Sequence, residues 1–256
     1  MRGVAGALSL AKKEIKGAWL SLSLNGLFVM FLGLFALWSL SGVFELEGFG
    51  AVGGRIEGFY NAFFTDYLFL VVCAFLGVSA VCGGWVAPLV RGGWRDSSPP
   101  WGLRLLRRLP LSAASIVGSR LLCMLFALAF NATLFFVAAY LFTDLGGLGW
   151  SYPWFAGIWL GYSLLAAGLY LSMDLTVKRS GEAHVLHGSF GFAASLMVFV
   201  ALVEFTLEPT LVEWTARLAE RYGALAASFS ILAGVGALSL LSWLSARRIE
   251  KRGLSV

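Results

Sequence analysis

Two histidines are the residues whose types and spacing first suggest catalytic or metal chemistry in this chain. His184 and His187 lie about one helical turn apart, a spacing that suits a bound metal ion. Only Glu182 lies close enough in the sequence to add a third ligand, and no H-E-x-x-H zinc motif occurs. We therefore interpret the two histidines as residues at a membrane interface and predict no metal site.

A serine in an apolar segment raises a second possibility. Gly161-Tyr162-Ser163 superficially resembles the G-x-S motif of intramembrane serine proteases, whose serine needs a base within hydrogen-bond reach. Ser163 lies about twelve residues, or roughly 18 Å, from the inner end of its predicted helix. Both histidines begin the next helix at that end, so we predict no protease activity.

Nucleotide chemistry is the third possibility. The chain contains no G-x-x-x-x-G-K-[ST] phosphate loop, whose backbone amides would bind nucleotide phosphates. If the protein takes part in ATP-driven work, a different polypeptide must hydrolyse the ATP. We expect no catalytic residue and no cofactor on this chain.

The composition indicates a membrane protein. Of the 256 residues, 59% are apolar and 13% are charged, whereas soluble domains average roughly 45–50% apolar and about 25% charged residues. This excludes a soluble enzyme, a disordered chain and a nucleic-acid-binding protein with a broad basic face. Cys73, Cys82 and Cys123 all lie in apolar runs and are expected to be buried thiols.

Six apolar runs are long enough to cross a hydrocarbon core, which takes about 20 residues per helix. They cover residues 19–44, 67–90, 116–142, 154–175, 185–207 and 225–244. The sequence therefore predicts an all-α polytopic membrane protein with six transmembrane helices, in which residues 1–256 form a single domain. The first outer loop is expected to be flexible by composition, because it contains Gly42, Gly48, Gly50, Gly53, Gly54 and Gly58.

The distribution of basic residues predicts the orientation. Only Arg55, Arg217 and Arg221 flank one side of the predicted spans, and the other 16 of the 19 lysines and arginines, Arg120 among them, belong to the opposite side. Cationic segments resist translocation, so both termini and the segment 90–115 are predicted to be cytoplasmic. This inner face would also attract anionic lipid headgroups.

The segment before the first span has helical periodicity. Its apolar face carries Val4, Leu8, Ala11 and Ile15, and its cationic side carries Lys12, Lys13 and Lys16. This pattern predicts an elbow helix that lies in the membrane interface with its apolar face toward the acyl chains. The alternative is a short helix that simply begins the first span.

A second amphipathic helix is predicted between spans two and three. One side carries Trp101, Leu105 and Leu109, and the other carries Arg104, Arg107 and Arg108. Pro110 ends this helix because proline cannot continue it. The helix is either a docking element for a partner or an arginine-bearing face that lies on the membrane for topological reasons.

A third amphipathic helix is predicted on the outer side. Thr210 and Glu213 have capping-box spacing, and Leu211, Trp214, Leu218 and Tyr222 share one face of the helix that follows. We predict that this helix rests at the membrane interface.

Polar residues are scarce inside the spans. Asn131, with Thr133, is near mid-membrane, and we expect Asn131 to form a hydrogen bond between helices. The scarcity of buried charge argues against a proton-coupled or sodium-coupled carrier. Gly157, Gly161 and Gly168 permit close approach of helices, and they indicate packing first and association between subunits second.

These features together resemble the permease subunits of ABC transporters of the second exporter type. The resemblance rests on the LAKKEIKGAWLSL elbow before six spans, the long first inner loop and the basic tail LSARRIEKRGLSV. Its most specific part is RLLRRLPLSAASIVGSRLL, which is similar to the family's leucine-proline-hydroxyl segment entering the third span. The matching residues are Leu109, Pro110, Leu111, Ser112 and Ser115.

The resemblance implies a homodimer or heterodimer in a bacterial or archaeal plasma membrane, with each permease bound to a cytosolic ATPase subunit that carries ATP and Mg²⁺. It also implies export of a peptide, an antibiotic or a lipid-like molecule. The residues that would dock the ATPase are Trp101, Arg104, Leu105, Arg107, Arg108, Leu109, Pro110 and Ser112. The alternative is a six-helix carrier or assembly factor that works without an ATPase.

Overall fold

The computed structural model describes residues 8–9, 11–12, 15–16, 22–24, 26–35, 54–77, 112–176 and 210–251. Within these ranges the chain is helical and contains no strand. The helices are α1 (Leu22–Phe35), α2 (Gly54–Phe75), α3 (Ala113–Phe142), α4 (Tyr152–Thr176) and α5 (Leu211–Lys251), and a short 3₁₀ helix (Asp144–Ser151) connects α3 to α4.

Three segments of the described chain are long and apolar enough to cross a membrane. They are Ala113–Phe142, Leu145–Ser172 and Leu211–Lys251. The first two agree with the third and fourth predicted spans, and the last contains the sixth. The fifth predicted span and residues 78–90 of the second lie outside the described residues.

Helix α2 begins earlier than the sequence pattern predicted. It starts at Gly54 rather than near residue 67, so the prediction that Gly54 and Gly58 belong to a flexible loop was wrong. Each glycine costs only about 1 kcal/mol in a helix, and extending an existing helix is far easier than starting a new one. No proline interrupts residues 54–75, so the helix of the apolar run extends backward through the glycines.

Helices α4 and α5 pack closely at small residues. A Cβ atom on Gly161 would collide with the backbone of Ser230, and one on Gly234 would collide with the carbonyl oxygen of Gly161. The Ser230 hydroxyl donates a hydrogen bond to the carbonyl oxygen of Ile158 over 2.7 Å. The prediction that the α4 glycines serve helix packing is therefore confirmed, and their partner is α5 of the same chain.

We expect Gly234→Leu to lower the free energy of unfolding by about 1–3 kcal/mol or more, because the added side chain must force α4 and α5 apart. Gly236→Leu is the matched control, since a Cβ at Gly236 meets no atom within 4 Å. Thermal or SDS unfolding of both purified variants measures the difference. Equal destabilisation by the two substitutions would contradict this account of the packing.

A glycine kink divides α5 into two parts. Gly223 has φ 43° and ψ −118°, a backbone conformation that favours glycine because a Cβ would be strained there. Residues 211–222 form a separate helix before the kink, called the outer helix here after its predicted side of the membrane, and the segment 224–251 continues along α4. The predicted start of the outer helix is confirmed, because the backbone N–H of Glu213 donates to the Thr210 hydroxyl over 3.1 Å.

The protein-facing side of the outer helix differs from the predicted apolar face. Val212, Thr215 and Ala219 are buried, whereas Trp214 and Tyr222 are exposed. Val212 and Ala219 join the apolar core of the bundle. Trp214 and Tyr222, which belong to the predicted apolar face, are therefore not covered by the described part of the protein.

Two contacts hold the outer helix to the bundle. The carboxylate of Asp66, on α2, accepts hydrogen bonds from the backbone N–H groups of Leu211 and Val212, the second over 3.1 Å. The indole N–H of Trp159, on α4, donates to the Thr215 hydroxyl over 3.1 Å. Asp66 is 0% exposed, so a buried carboxylate occupies the positive end of a helix dipole and satisfies two of its free donors.

Candidate functional site

The start of α3 lies directly after the predicted docking segment. Ser112 is the N-cap of α3, with φ −67° and ψ 149°, and its hydroxyl accepts a hydrogen bond from the backbone N–H of Ser115 over 3.2 Å. The two serine hydroxyls also lie 2.8 Å apart. A capping serine at this position fixes where the helix begins, because it satisfies a donor that the first turn leaves free.

The rest of the predicted docking segment lies outside the described residues. This applies to Trp101, Arg104, Leu105, Arg107, Arg108, Leu109 and Pro110. Ser112 is the one residue of the predicted docking set whose placement is described. Since Ser112 caps α3, any force on the preceding segment would reach α3 through the backbone at this cap.

A buried arginine occupies the second turn of α3. Arg120 is 2% exposed, and it is among the largest fully buried side chains in the described part of the protein. Its place in the sequence puts it among the basic residues predicted for the inner side, and the structure shows that its side chain lies inside the protein rather than on a free surface. Arg120 is the eighth residue of a helix that begins at Ala113, and its side chain is enclosed by protein, so it does not reach lipid headgroups.

The N-terminal segment contacts α3 one turn beyond this arginine. The Cys123 thiol donates to the carbonyl oxygen of Ala11 over 3.7 Å, and both residues are buried. The prediction that Ala11 faces acyl chains was therefore wrong, because this alanine is small enough to let the segment pack on α3. Leu8 is 57% exposed and remains free to contact lipid.

The other elbow residues divide into described and undescribed ones. Lys12 and Lys16 are exposed, as expected for the cationic side, and Ile15 is half-buried. Val4 and Lys13 lie outside the described residues. Three features therefore lie in the first turns of α3. They are the Ser112 cap that follows the docking segment, the buried Arg120 and the contact of the elbow segment with Cys123.

Asn131 is the polar residue at the middle of α3. It is 1% exposed, and its Nδ2 donates to the carbonyl oxygen of Leu76 over 3.0 Å. The predicted hydrogen bond between helices is confirmed, and its acceptor lies immediately after the last residue of α2. Asn131 therefore ties α3 to the end of α2 deep inside the bundle.

The other residues considered for catalysis form no site in the described chain. Ser163 is buried, and its hydroxyl donates to the carbonyl oxygen of Trp159, one turn earlier in α4, over 2.9 Å. His184 and His187 lie outside the described residues. In the ranges that the structure covers, no group of three metal-ligating side chains comes together.

The structural role of Asp66 was not predicted from the sequence. The structure buries this carboxylate against the outer helix, a contact that neither the composition nor the periodicity of the chain indicated. The available signal was its position immediately before the apolar run that starts at Tyr67. A carboxylate at such a boundary has to find hydrogen-bond donors when it is buried.

Comparisons with protein-family models, with curated proteins and with solved structures find no significant match to this chain.

Proposed function

We propose that this chain is the membrane-spanning permease subunit of an ABC transporter of the second exporter type. In this proposal it has six spans, both termini in the cytoplasm and a location in a bacterial or archaeal plasma membrane. A separate cytosolic subunit binds and hydrolyses ATP, and the substrate is a peptide, an antibiotic or a lipid-like molecule.

The arrangement at the Ser112 end of α3 carries the proposal. A transporter driven by a separate ATPase needs an element that passes motion from a cytosolic loop to the spans. Here the segment with the predicted docking residues leads directly into the capped first turn of α3, and the elbow segment packs on that same helix at Cys123. Movement of the loop would therefore act on a helix that also holds the elbow segment.

The exposed surface of α5 supports a second permease copy or paralogue in the complex. Leu225, Phe229 and Leu232 are each more than two-thirds exposed in the described chain. Lipid can cover part of this surface. A closed path across the membrane needs more helices than one chain supplies, so we propose that apolar faces of spans also form the contact between two permeases.

Affinity purification of the tagged chain from its own cells in a mild detergent tests the proposal. We expect a soluble subunit that contains a phosphate loop to copurify with the chain, and mass spectrometry of the eluate would identify it. Cells that carry the untagged chain are the control. Repeated recovery of the chain without any such ATPase would instead favour a carrier or assembly factor that works alone.

A further inference from the structure

Helix α2 stops inside its predicted span. The helix ends at Phe75, Leu76 and Gly77 form a turn, and the predicted span covers residues 67–90. Leu76 is fully buried, so this helix end lies inside the protein, away from bulk water. Carbonyl groups at such an end need partners, because lipid offers none.

Asn131 supplies one of these partners and keeps a second polar atom unused. Its Nδ2 donates to the Leu76 carbonyl, whereas its Oδ1 is buried and has no hydrogen-bond partner in the structure as described. An amide oxygen can accept two hydrogen bonds. Buried acceptors are almost always satisfied, so an unsatisfied one in the interior of the bundle requires an explanation.

Helix α1 covers this free acceptor with a glycine. A Cβ atom on Gly26 would lie 2.9 Å from Asn131 Oδ1 and 3.3 Å from side-chain atoms of both Phe130 and Leu134. Only a residue without a side chain fits here without displacing its neighbours. The cover over Oδ1 is therefore backbone of α1, and separation of α1 from α3 would expose the acceptor.

The surroundings restrict what the acceptor can bind. Leu128, Ala132 and Phe135 of α3 belong to the apolar core next to Asn131 in the sequence, and Gly77 packs on Ala167 of α4. No charged side chain of α3 lies between Arg120 and its end at Phe142. A cation would lose its hydration here without gaining a counter-charge, so an uncharged donor fits the site better.

We infer that Asn131 Oδ1 is a substrate-binding acceptor, which takes the N–H or O–H group of an uncharged, largely apolar molecule when α1 moves away from α3. The inference rests on the proposed function, since it assigns a binding residue to the translocation path. It also explains why only one of the two polar atoms of the Asn131 amide is hydrogen-bonded within the protein. Nδ2 holds the end of α2 in place, and Oδ1 stays available to the ligand.

A matched pair of fluorescent probes tests the inference. N-Phenyl-1-naphthylamine carries one N–H donor, and its N-methyl analogue has nearly the same apolar surface but no donor. Binding of each probe to the full-length chain in lipid nanodiscs is measured by energy transfer from tryptophan, with empty nanodiscs subtracted. We expect the wild-type protein to bind the N–H probe about tenfold more tightly than the N-methyl probe, as one hydrogen bond predicts.

Two variants separate the acceptor from the structural role of Asn131. In Asn131→Leu the two probes should bind with about equal affinity, and the affinity for the N-methyl probe should stay at its wild-type value. Asn131→Asp should keep the preference, because a protonated carboxyl both donates to Leu76 and accepts from the probe. A wild-type protein without preference, or an unchanged preference in a folded Asn131→Leu variant, would overturn the inference.

The probe experiment and the ATPase experiment fail independently. An ATPase subunit that copurifies with a chain lacking any donor preference would leave the permease proposal standing and refute the role of Oδ1. A donor preference that disappears in Asn131→Leu, found in a chain that recovers no ATPase, would support the acceptor and place it in a carrier instead.

Discussion

Replacing Leu105 by aspartate is expected to detach the ATPase subunit from the permease. If Trp101, Leu105 and Leu109 enter a groove on the ATPase, their burial contributes several kcal/mol at about 25 cal/mol per Å² of apolar area, before the costs of association. A carboxylate in the centre of that face would have to be dehydrated without a partner. We expect copurification of the ATPase to fall by at least about 100-fold, which corresponds to about 2.7 kcal/mol.

The opposite orientation of the same helix makes a different prediction. If the arginine side faces the ATPase and the apolar side lies on lipid, Arg104→Glu and Arg107→Glu should weaken docking instead. That loss should depend strongly on salt, because exposed charge pairs are screened. Leu105→Met is the control for the apolar face. Unchanged copurification in both sets of variants, at two salt concentrations and matched expression, would remove this helix from the docking account.

Replacing Asp66 by alanine is expected to release the outer helix from α2. The carboxylate accepts hydrogen bonds from Leu211 and Val212, and hydrogen bonds to charged groups contribute about 1.5–3 kcal/mol each. Their joint loss should raise the hydrogen-exchange rate of peptides from 211–222 by about 100-fold, or roughly 2.7 kcal/mol. Peptides from 224–240 should change little, because Gly223 separates them from the outer helix and α4 still covers them.

Two further substitutions serve as comparisons for the hydrogen-exchange rate of residues 211–222. Thr215→Val removes the single acceptor of the Trp159 indole, so its effect on the same peptides should be smaller. Glu213→Gln changes an exposed carboxylate of the same helix and should leave the exchange rate near that of the wild type. If Asp66→Ala leaves residues 211–222 as protected as Glu213→Gln does, the buried carboxylate does not hold the outer helix.

Features that depend on local sequence were predicted well. The length of an apolar run gave α3 and α4 to within a few residues, because a membrane-spanning helix has to be about as long as the hydrocarbon core is thick. The Thr210 cap was predicted because its donor lies three residues away in the chain. Asn131 was expected to bond across helices because an amide in hydrocarbon requires a partner.

Features that depend on distant contacts were not predicted. The carboxylate of Asp66 binds amides 145 and 146 positions away, and nothing in its neighbourhood identifies them. Burial of Ala11 and Arg120 was missed for a related reason, since periodicity shows which residues share a face but not whether lipid or protein covers it. The unused oxygen of Asn131 could not be predicted either, because only the folded structure shows which of its two polar atoms is hydrogen-bonded.

ATP hydrolysis by the copurified subunit tests the central proposal most directly. The subunit is assayed alone, with the wild-type chain in nanodiscs and with the Leu105→Asp chain in nanodiscs. The permease proposal predicts that the wild-type chain raises the rate above that of the subunit alone and that the Leu105→Asp chain does not. Hydrolysis that is the same in all three samples would contradict it.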